Sequence, residues 1–282
     1  MRAVTSALTA GLLSFMSSCV AVADDDDEVR RVSGLEFDGV VVVGDIEVEI
    51  SQGDTCELQL RGDPDDLDKE PFYLSKGQLI VGKSRRGSTR FDDDLRIRVF
   101  LPELRDLRLK GSGKAYVRAF EAQDAASGPA KFSLDGSGDV RIYAYRGRSL
   151  RLDVRGSGDF KVADLEVEDL KALVSGSGDL FIRRLTAEAA EFVVTGSGDL
   201  RITEGGHIDE VEVSVIGSGD ADLDDLSTDL AEVNVVGSGS VDMGEVRKAL
   251  SASILGSGDV YYSGDPVVDK TAFGSGEVRQ RR

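Results

Sequence analysis

The chain has 282 residues, of which 52 are acidic and 34 are basic, so its formal net charge is −18. This strongly negative balance argues against binding to nucleic acid or to an anionic lipid surface. The length is enough for one elongated domain or two compact ones.

Residues 1–23 are predicted to be a secretory signal peptide. Arg2 supplies a positive start, Ala7 to Met16 form a short apolar run, and Ala21 to Ala23 form a small-x-small cleavage site. The run is too short to span a membrane, and no later segment of the sequence is apolar enough to do so. We therefore expect export to the periplasm, the outer-membrane surface or the medium.

Cys19 offers an alternative, a lipoprotein anchor, although Met16 occupies the position where such signals favour leucine. If cleavage follows Ala23 instead, Cys56 is the only thiol left in the mature chain, which excludes an internal disulfide framework. We interpret Cys56 as a small apolar residue buried on a strand. Residues 24–34, which begin with an acidic run, are expected to be a leader.

Residues 35–110 are predicted to form irregular first coils and the N-terminal cap of a β-solenoid that occupies residues 35–282. Cys56 to Leu60 and Leu95 to Val99 alternate apolar and polar side chains, as strands with one buried face do. The segment that starts at Gly44 copies the pattern that starts at Gly138. A cap is needed because an open solenoid end is an exposed sheet edge. The basic tail is predicted to serve the same purpose at the other end; it consists of Arg279, Arg281 and Arg282.

Residues 111–278 contain the regular repeats, each marked by a Gly-Ser-Gly tripeptide. The nine tripeptides begin at Gly111, Gly136, Gly156, Gly176, Gly196, Gly217, Gly237, Gly256 and Gly274. A period near 20 residues indicates one short unit stacked on copies of itself. Apolar residues lie four and two positions before each first glycine from Gly111 to Gly256, and four and six positions after it. Around Gly156 these are Leu152, Val154, Phe160 and Val162.

This alternation predicts a strand, a glycine bend, a second strand and a looser corner in every repeat. A meander of hairpins is the alternative, but it needs a tight turn every 8–12 residues. The near-constant period favours a single-stranded parallel β-helix, and parallel crossovers are overwhelmingly right-handed. The predicted fold class is therefore an all-β, right-handed parallel β-helix with about 20 residues per coil.

The residue after most tripeptides is an aspartate, and stacking in register predicts a column of carboxylates. Its members are Asp139, Asp159, Asp179, Asp199, Asp220 and Asp259. At about 4.8 Å in water each neighbouring pair costs roughly 1 kcal/mol of repulsion, so another interaction must offset it. Calcium would do so, because oxygen-rich columns are natural calcium ligands. We favour hydrogen bonds from nearby backbone amides, and we assign no metal ligand or cofactor.

The sequence offers no catalytic set. It lacks a recognisable Ser–His–Asp pattern, zinc-ligand spacing and a phosphate-binding loop followed by a helix. His207 is the only imidazole, and we interpret it as a surface residue in a corner loop. The repeats are also nearly constant in length, so there are no long insertions between strands that could form the walls of a substrate groove. We therefore predict that the chain is not an enzyme and has no catalytic, cofactor-binding or metal-binding residues.

The Gly-Ser-Gly-Asp coils resemble the head GIN domain family of putative auto-transporter adhesins. The likeness extends over residues 35–282. It includes the opening from Phe37 to Val40, the passage from Phe100 to Gly113, and the ending from Val260 to Pro266. The resemblance implies an exported bacterial β-helical domain without established enzymatic activity.

Three hypotheses for function follow. The first is an adhesin-like binding or scaffold module of the cell envelope, whose repetitive faces contact a glycan or an envelope protein. The second is a polysaccharide-acting enzyme that uses an acidic face, in which Asp179 and Asp199 would be essential. The third is a structural element whose coils stack end to end into oligomers.

Overall fold

The computed structural model describes residues 27–85, 87, 91, 94–122 and 128–281. The predicted signal peptide, Cys19, the aspartates at 24–26 and Arg282 lie outside these residues. The described chain is an all-β solenoid with one short helix, α1 (Pro64–Asp68). Among the described residues there is no helix long and apolar enough to cross a membrane.

The strands of the first coils are β1 (Glu28–Ser33), β2 (Gly39–Gly44), β3 (Glu47–Gln52), β4 (Glu57–Gly62), β5 (Phe72–Ser75), β6 (Gln78–Val81), β7 (Arg96–Leu101), β8 (Asp106–Gly111), β9 (Lys114–Glu121) and β10 (Ala130–Gly136). The later strands are β11 (Asp139–Gly156), β12 (Phe160–Gly176), β13 (Leu180–Gly196), β14 (Leu200–Ile202), β15 (Gly206–Gly217), β16 (Ala221–Gly237), β17 (Val241–Gly256), β18 (Val260–Ser263), β19 (Val267–Gly274) and β20 (Val278–Gln280).

Parallel pairing with a shift of one repeat builds the regular coils, which confirms the predicted solenoid. β11 pairs with β12 from Val140↔Phe160 to Gly156↔Gly176. The same pairing continues from β12 to β13 and onward to β19. The first glycine of each tripeptide is therefore in register with that of the next coil.

The Gly-Ser-Gly bends stack too closely to admit side chains. Gly176 has a φ of +118°, and a Cβ placed on it would lie 2.5 Å from the carbonyl oxygen of Gly156. The amides of Ser177 and Gly178 both donate to that same oxygen, each at 2.9 Å. Glycine is needed at the first position because a side chain would strain the backbone and would also separate the coils.

Each bend joins two sheets, which we call the first face and the second face. The first face contains the residues that lead up to each first glycine, and the second face contains those that follow the bend. Inward residues of both faces share one hydrophobic core, in which Phe132, Phe160 and Phe192 are fully buried. Each buried side chain of this size contributes roughly 1.5–3 kcal/mol. The outward positions between them remain free for charged groups.

The N-terminal coils are stacked out of chain order. β2 pairs in parallel with both β6 and β8, and β3 pairs in parallel with both β7 and β9. The coil of β6 and β7 thus lies outside the coil of β2 and β3. Antiparallel strands complete this end, since β5 pairs with β6, β4 pairs with β7 and β1 pairs with β4. Reversed strands of this kind interrupt the parallel edge of the solenoid.

The predicted match between Gly44 and Gly138 is wrong by two residues. Gly44 pairs instead with Gly111, the first glycine of a tripeptide. Ile46 consequently takes the place of a second glycine, and its carbonyl accepts a hydrogen bond from the Lys114 amide at 2.9 Å. Gly82 makes this possible, because a Cβ there would lie only 2.7 Å from Cδ1 of Ile46. The alternation of apolar and polar residues was recognisable from the sequence. The space that Gly82 leaves for the Ile46 side chain was not.

The C-terminal coil ends on a charged residue at a core position. On β19, Val268, Lys270 and Ala272 continue the inward rows of β17. The Nζ of Lys270 donates to the Val278 carbonyl at 3.4 Å. An inward-pointing charge on an edge strand discourages another strand from pairing there. In the basic tail, Arg281 forms ion pairs with Asp224 and Asp242 and so lies along the second face.

Candidate ligand-binding surface

The predicted column of carboxylates is present, and its members bind backbone amides of the next coil. Oδ1 of Asp179 accepts from the Asp199 amide at 2.9 Å, and Oδ1 of Asp199 accepts from the Asp220 amide at 3.0 Å. Asp259 accepts from the Glu277 amide at 2.8 Å. Each of these amides lies one coil further on, so the bonds join coils rather than closing a bend. They offset the repulsion between neighbouring carboxylates.

One member of the column, Asp259, also has a shifted pKa. The Glu277 amide, followed by the Tyr261 hydroxyl, lowers the pKa of Asp259. No group of three His, Cys, Asp or Glu side chains in the described parts of the chain could hold a metal ion. Through its amide hydrogen bonds the column joins successive coils of the second face.

His207 lies on strand β15 and not in a corner loop, so that part of the sequence interpretation is wrong. Parallel pairing of Thr186, His207 and Ser227 draws this corner into the sheet. Nδ1 of His207 is 3.1 Å from Oγ of Ser227, and Nε2 is 3.0 Å from Oδ1 of Asp209. The fold thus brings together a serine, a histidine and an aspartate that are not recognisable as a set in the sequence.

Cys56 lies immediately before β4 and is partly buried against the core. Its Sγ donates to the carbonyl oxygen of Phe37 at 3.3 Å. The thiol therefore serves packing at the cap.

The second face carries a surface that the sequence analysis missed. Its residues lie five or seven positions after the first glycine and alternate between cations and aromatic rings. We call them the cation–aromatic surface: Tyr116, Arg118, Arg141, Tyr143, Lys161, Phe181 and Arg201. The signal was available in the outward positions of the repeats, where cations and aromatic rings recur at fixed distances from the first glycine.

Contacts between coils order the side chains of the cation–aromatic surface. Cζ of Arg118 lies 5.0 Å from the centre of the Tyr143 ring, and Cζ of Arg141 lies 5.9 Å from that of Tyr116. Lys161 and Arg201 approach the Phe181 ring from its two neighbouring coils, at 5.3 Å and 5.8 Å. Cation–π contacts of this length are worth about 0.5–1 kcal/mol at exposed sites. They favour these positions of the rings on the sheet.

The cations of this surface are only partly neutralised. Arg118 pairs with Glu49 at 2.5 Å, Lys161 with Asp159 at 2.8 Å and Arg201 with Asp222 at 3.2 Å. Arg141 is exposed and forms no ion pair with any described residue. The charge of the sequence is uneven as well. Residues 106–205 contain 15 basic and 16 acidic residues, whereas residues 206–282 contain 6 and 15.

A groove of about 510 Å³ lies beside this surface, along the corner that follows Tyr143. Arg146 and Arg184 line the groove, where Arg146 pairs with Glu166 and Arg184 pairs with Asp164 and Glu204, so its two cations are already neutralised. Guanidinium groups bind carboxylate, sulfate and phosphate in bidentate fashion, and aromatic faces stack on the apolar faces of flat ligands. The arrangement suits an extended ligand that bears acidic groups.

The chain matches the family described as "Putative auto-transporter adhesin, head GIN domain", over residues 36–205 and 201–266. No curated protein matches it. Solved structures share the fold. A putative adhesin from Parabacteroides distasonis is 19% identical with a TM-score of 0.63, and the match covers 92% of this chain and 98% of that one.

Two further structures match over the same shares, 92% of this chain and 98% of theirs. One is a putative adhesin from Parabacteroides merdae, with 15% identity and a TM-score of 0.64. The other, from Parabacteroides distasonis, is named a putative lipid binding protein and shows 21% identity and a TM-score of 0.60. At these identities the likeness establishes the shared fold.

Proposed function

Since this chain belongs to the head GIN domain family of putative auto-transporter adhesins, we propose that it is an exported, non-catalytic binding module of the bacterial cell envelope. The predicted signal peptide at residues 1–23 supports export. Two of the similar structures are named putative adhesins, and these names support a binding role. The cation–aromatic surface is the observation that carries the proposal, because it offers fixed rings and an unpaired cation on one regular sheet.

The proposed ligand is a glycan that bears carboxylate, sulfate or phosphate groups. Tyr143 is 46% exposed, so the part of its ring that Arg118 leaves uncovered is available for stacking; Arg141 beside it contacts the Tyr116 ring but forms no ion pair with a described residue, so its guanidinium can bind an anion. From Tyr116 to Arg201 the surface spans five coils, or about 19 Å at the spacing of paired strands. This length suits an oligosaccharide. The surrounding acids oppose an anionic ligand, so binding should depend on these close contacts.

Binding of polygalacturonate and heparin oligosaccharides, with dextran as the neutral polymer, tests the proposal. The double variant Arg141→Ala, Tyr143→Ala should weaken binding of the anionic glycan at least tenfold, the effect of about 1.4 kcal/mol. Arg247→Ala is the matched control, because Arg247 is an exposed arginine in the acidic part of the rod. It should bind as the wild type does. Absence of binding to either anionic polymer, or undiminished binding by the double variant, would refute the proposal.

Hydrolysis is the competing function, and the contacts of Ser227, His207 and Asp209 are the observation in its favour. The Ser227 hydroxyl, however, donates a hydrogen bond to the Gly206 carbonyl oxygen at 3.2 Å. A serine engaged in this way is not poised to attack a substrate. The predicted acidic-face enzyme meets the same objection, since Asp179 and Asp199 accept amide hydrogen bonds.

Two activity measurements decide between binding and hydrolysis. The first is hydrolysis of p-nitrophenyl acetate by the wild type and by Ser227→Ala, and the second is turnover of polygalacturonate by the wild type and by Asp179→Ala. Equal, background rates within each pair support a binding module. Loss of a catalysed rate in either variant would replace the proposal with an enzyme.

A further inference from the structure

The first face carries an outward column whose charge changes sign halfway along the rod. Its residues lie five positions before the six first glycines from Gly136 to Gly237, between Asp106 and Ser251 of the flanking coils, and we call them the charge column: Lys131, Arg151, Lys171, Glu191, Glu212 and Glu232. Each is in register with the next. Three cations are followed by three anions, so the charge of the column changes sign at the midpoint between Lys171 and Glu191.

Within one chain the two ends of the charge column are unequally compensated. At the centre, Lys171 pairs with Glu191 at 2.5 Å. At the basic end, Lys131 and Arg151 pair with the buried Asp153, at 3.3 Å and 2.9 Å. At the acidic end, Glu212 and Glu232 are exposed and form no ion pair with any described residue. Their stacked negative charges repel each other and would be relieved by cations from outside.

Apolar residues accompany the charge column on the same face. Leu173 and Val193, two positions further along their strands, lie at its centre and are half-buried.

We propose that a second copy of this chain covers the first face in an antiparallel dimer. The two-fold axis lies in the plane of the interface and runs between the coils of Lys171 and Glu191. It sets Lys171 against Glu191 of the partner subunit, Arg151 against Glu212 of the partner subunit and Lys131 against Glu232 of the partner subunit. Leu173 meets Val193 of the partner subunit at the centre. Every pairing occurs twice, as an isologous interface requires.

The size of the first face suits a stable dimer. The coils from Gly44 to Gly274 extend about 40 Å along the rod at the spacing of paired strands, and six residues of strand cover about 20 Å across it. The contact would bury roughly 800 Å² on each subunit, which is the size of a standard specific interface. The two ends of the rod are poorer contacts, because antiparallel strands occupy one and Lys270 points into the other.

Sedimentation velocity over a concentration series at low salt tests the dimer. The wild type should be a dimer that dissociates as salt is raised, because screening weakens ion pairs. The double variant Glu212→Lys, Glu232→Lys sets cations against cations and should be monomeric. Asp225→Lys with Asp265→Lys makes the same change of charge at exposed positions after the second face and should remain dimeric.

A zero-length carbodiimide cross-link identifies the arrangement. Lys131 and Glu232 are five coils apart, about 24 Å within one chain, so a direct link between them must join two subunits. We expect the linked peptide in the dimer band and not in the monomer band. A wild type that is monomeric throughout, a dimer that survives Glu212→Lys with Glu232→Lys, or a dimer band without the Lys131–Glu232 link would each overturn the proposal.

Discussion

Replacing Gly176 with alanine should destabilise the protein by about 4 kcal/mol. Gly176 has a φ of +118°, and an alanine held there costs of order 1–3 kcal/mol. The added Cβ would also lie 2.5 Å from the Gly156 carbonyl oxygen. Relief of that contact moves the bends apart and weakens two hydrogen bonds, from the amides of Ser177 and Gly178, at about 1 kcal/mol each.

Urea denaturation followed by far-ultraviolet circular dichroism measures the effect of Gly176→Ala on the free energy of unfolding. Ser177→Ala is the matched control, because Ser177 is exposed and supports the bend through its backbone. It should change stability by less than about 0.5 kcal/mol. Hydrogen exchange should accelerate at the amides of Ser177 and Gly178 more than at Ser257, since a coil contacts only its neighbours. A loss below about 1 kcal/mol, or unchanged exchange at these amides, would refute the stacking argument.

Three further predictions concern charges. Burial alone would raise the pKa of Asp153, but Arg151 and Arg155 outweigh it and hold that pKa below its usual value. This stabilisation is complete above the unfolded pKa, about 3.9, and is lost as the pH falls through the lower folded value. Asp153→Asn should therefore lower the urea midpoint at neutral pH, with a difference from wild type that shrinks in acid; a constant difference would contradict the assignment. Asp199→Ala should cost about 1 kcal/mol in the same assay, and calcium should leave the wild-type thermal midpoint unchanged; a rise that this variant abolishes would reveal a bound cation. Lys270→Val should produce concentration-dependent end-to-end assembly in light scattering, and a variant that scatters like the wild type would show that Lys270 does not protect the edge.

The regular coils were predictable from the sequence because the same local pattern recurs in each repeat. A glycine bend between period-2 apolar pairs fixes both the strand and its inward side, so Val154 and Phe160 could be placed in the core in advance. The N-terminal order could not be found in this way. It depends on long-range pairings, and the fit of Ile46 over Gly82 has no signature along the chain.

The candidate surfaces escaped prediction for a different reason. Outward residues such as Arg141 and Tyr143 follow no apolar pattern along the chain. The surface that they form can be recognised only when equivalent positions of successive coils are compared. The same holds for Lys131 and Glu232, which are far apart in sequence and belong to one column. For His207, sequence reasoning supplied a plausible corner loop, whereas pairing with Thr186 and Ser227 made it part of a strand.

Because the bends stack in the same way in every coil, the number of repeats can change without altering the contacts between coils. Each Gly-Ser-Gly unit bonds to the one before it through the same carbonyl, as Ser157 does to Gly136 and Ser177 does to Gly156. A duplicated or deleted repeat would therefore insert or remove one complete winding and restore identical contacts at the junction. Gain or loss of whole repeats would therefore change the length of the rod in steps of about 4.8 Å.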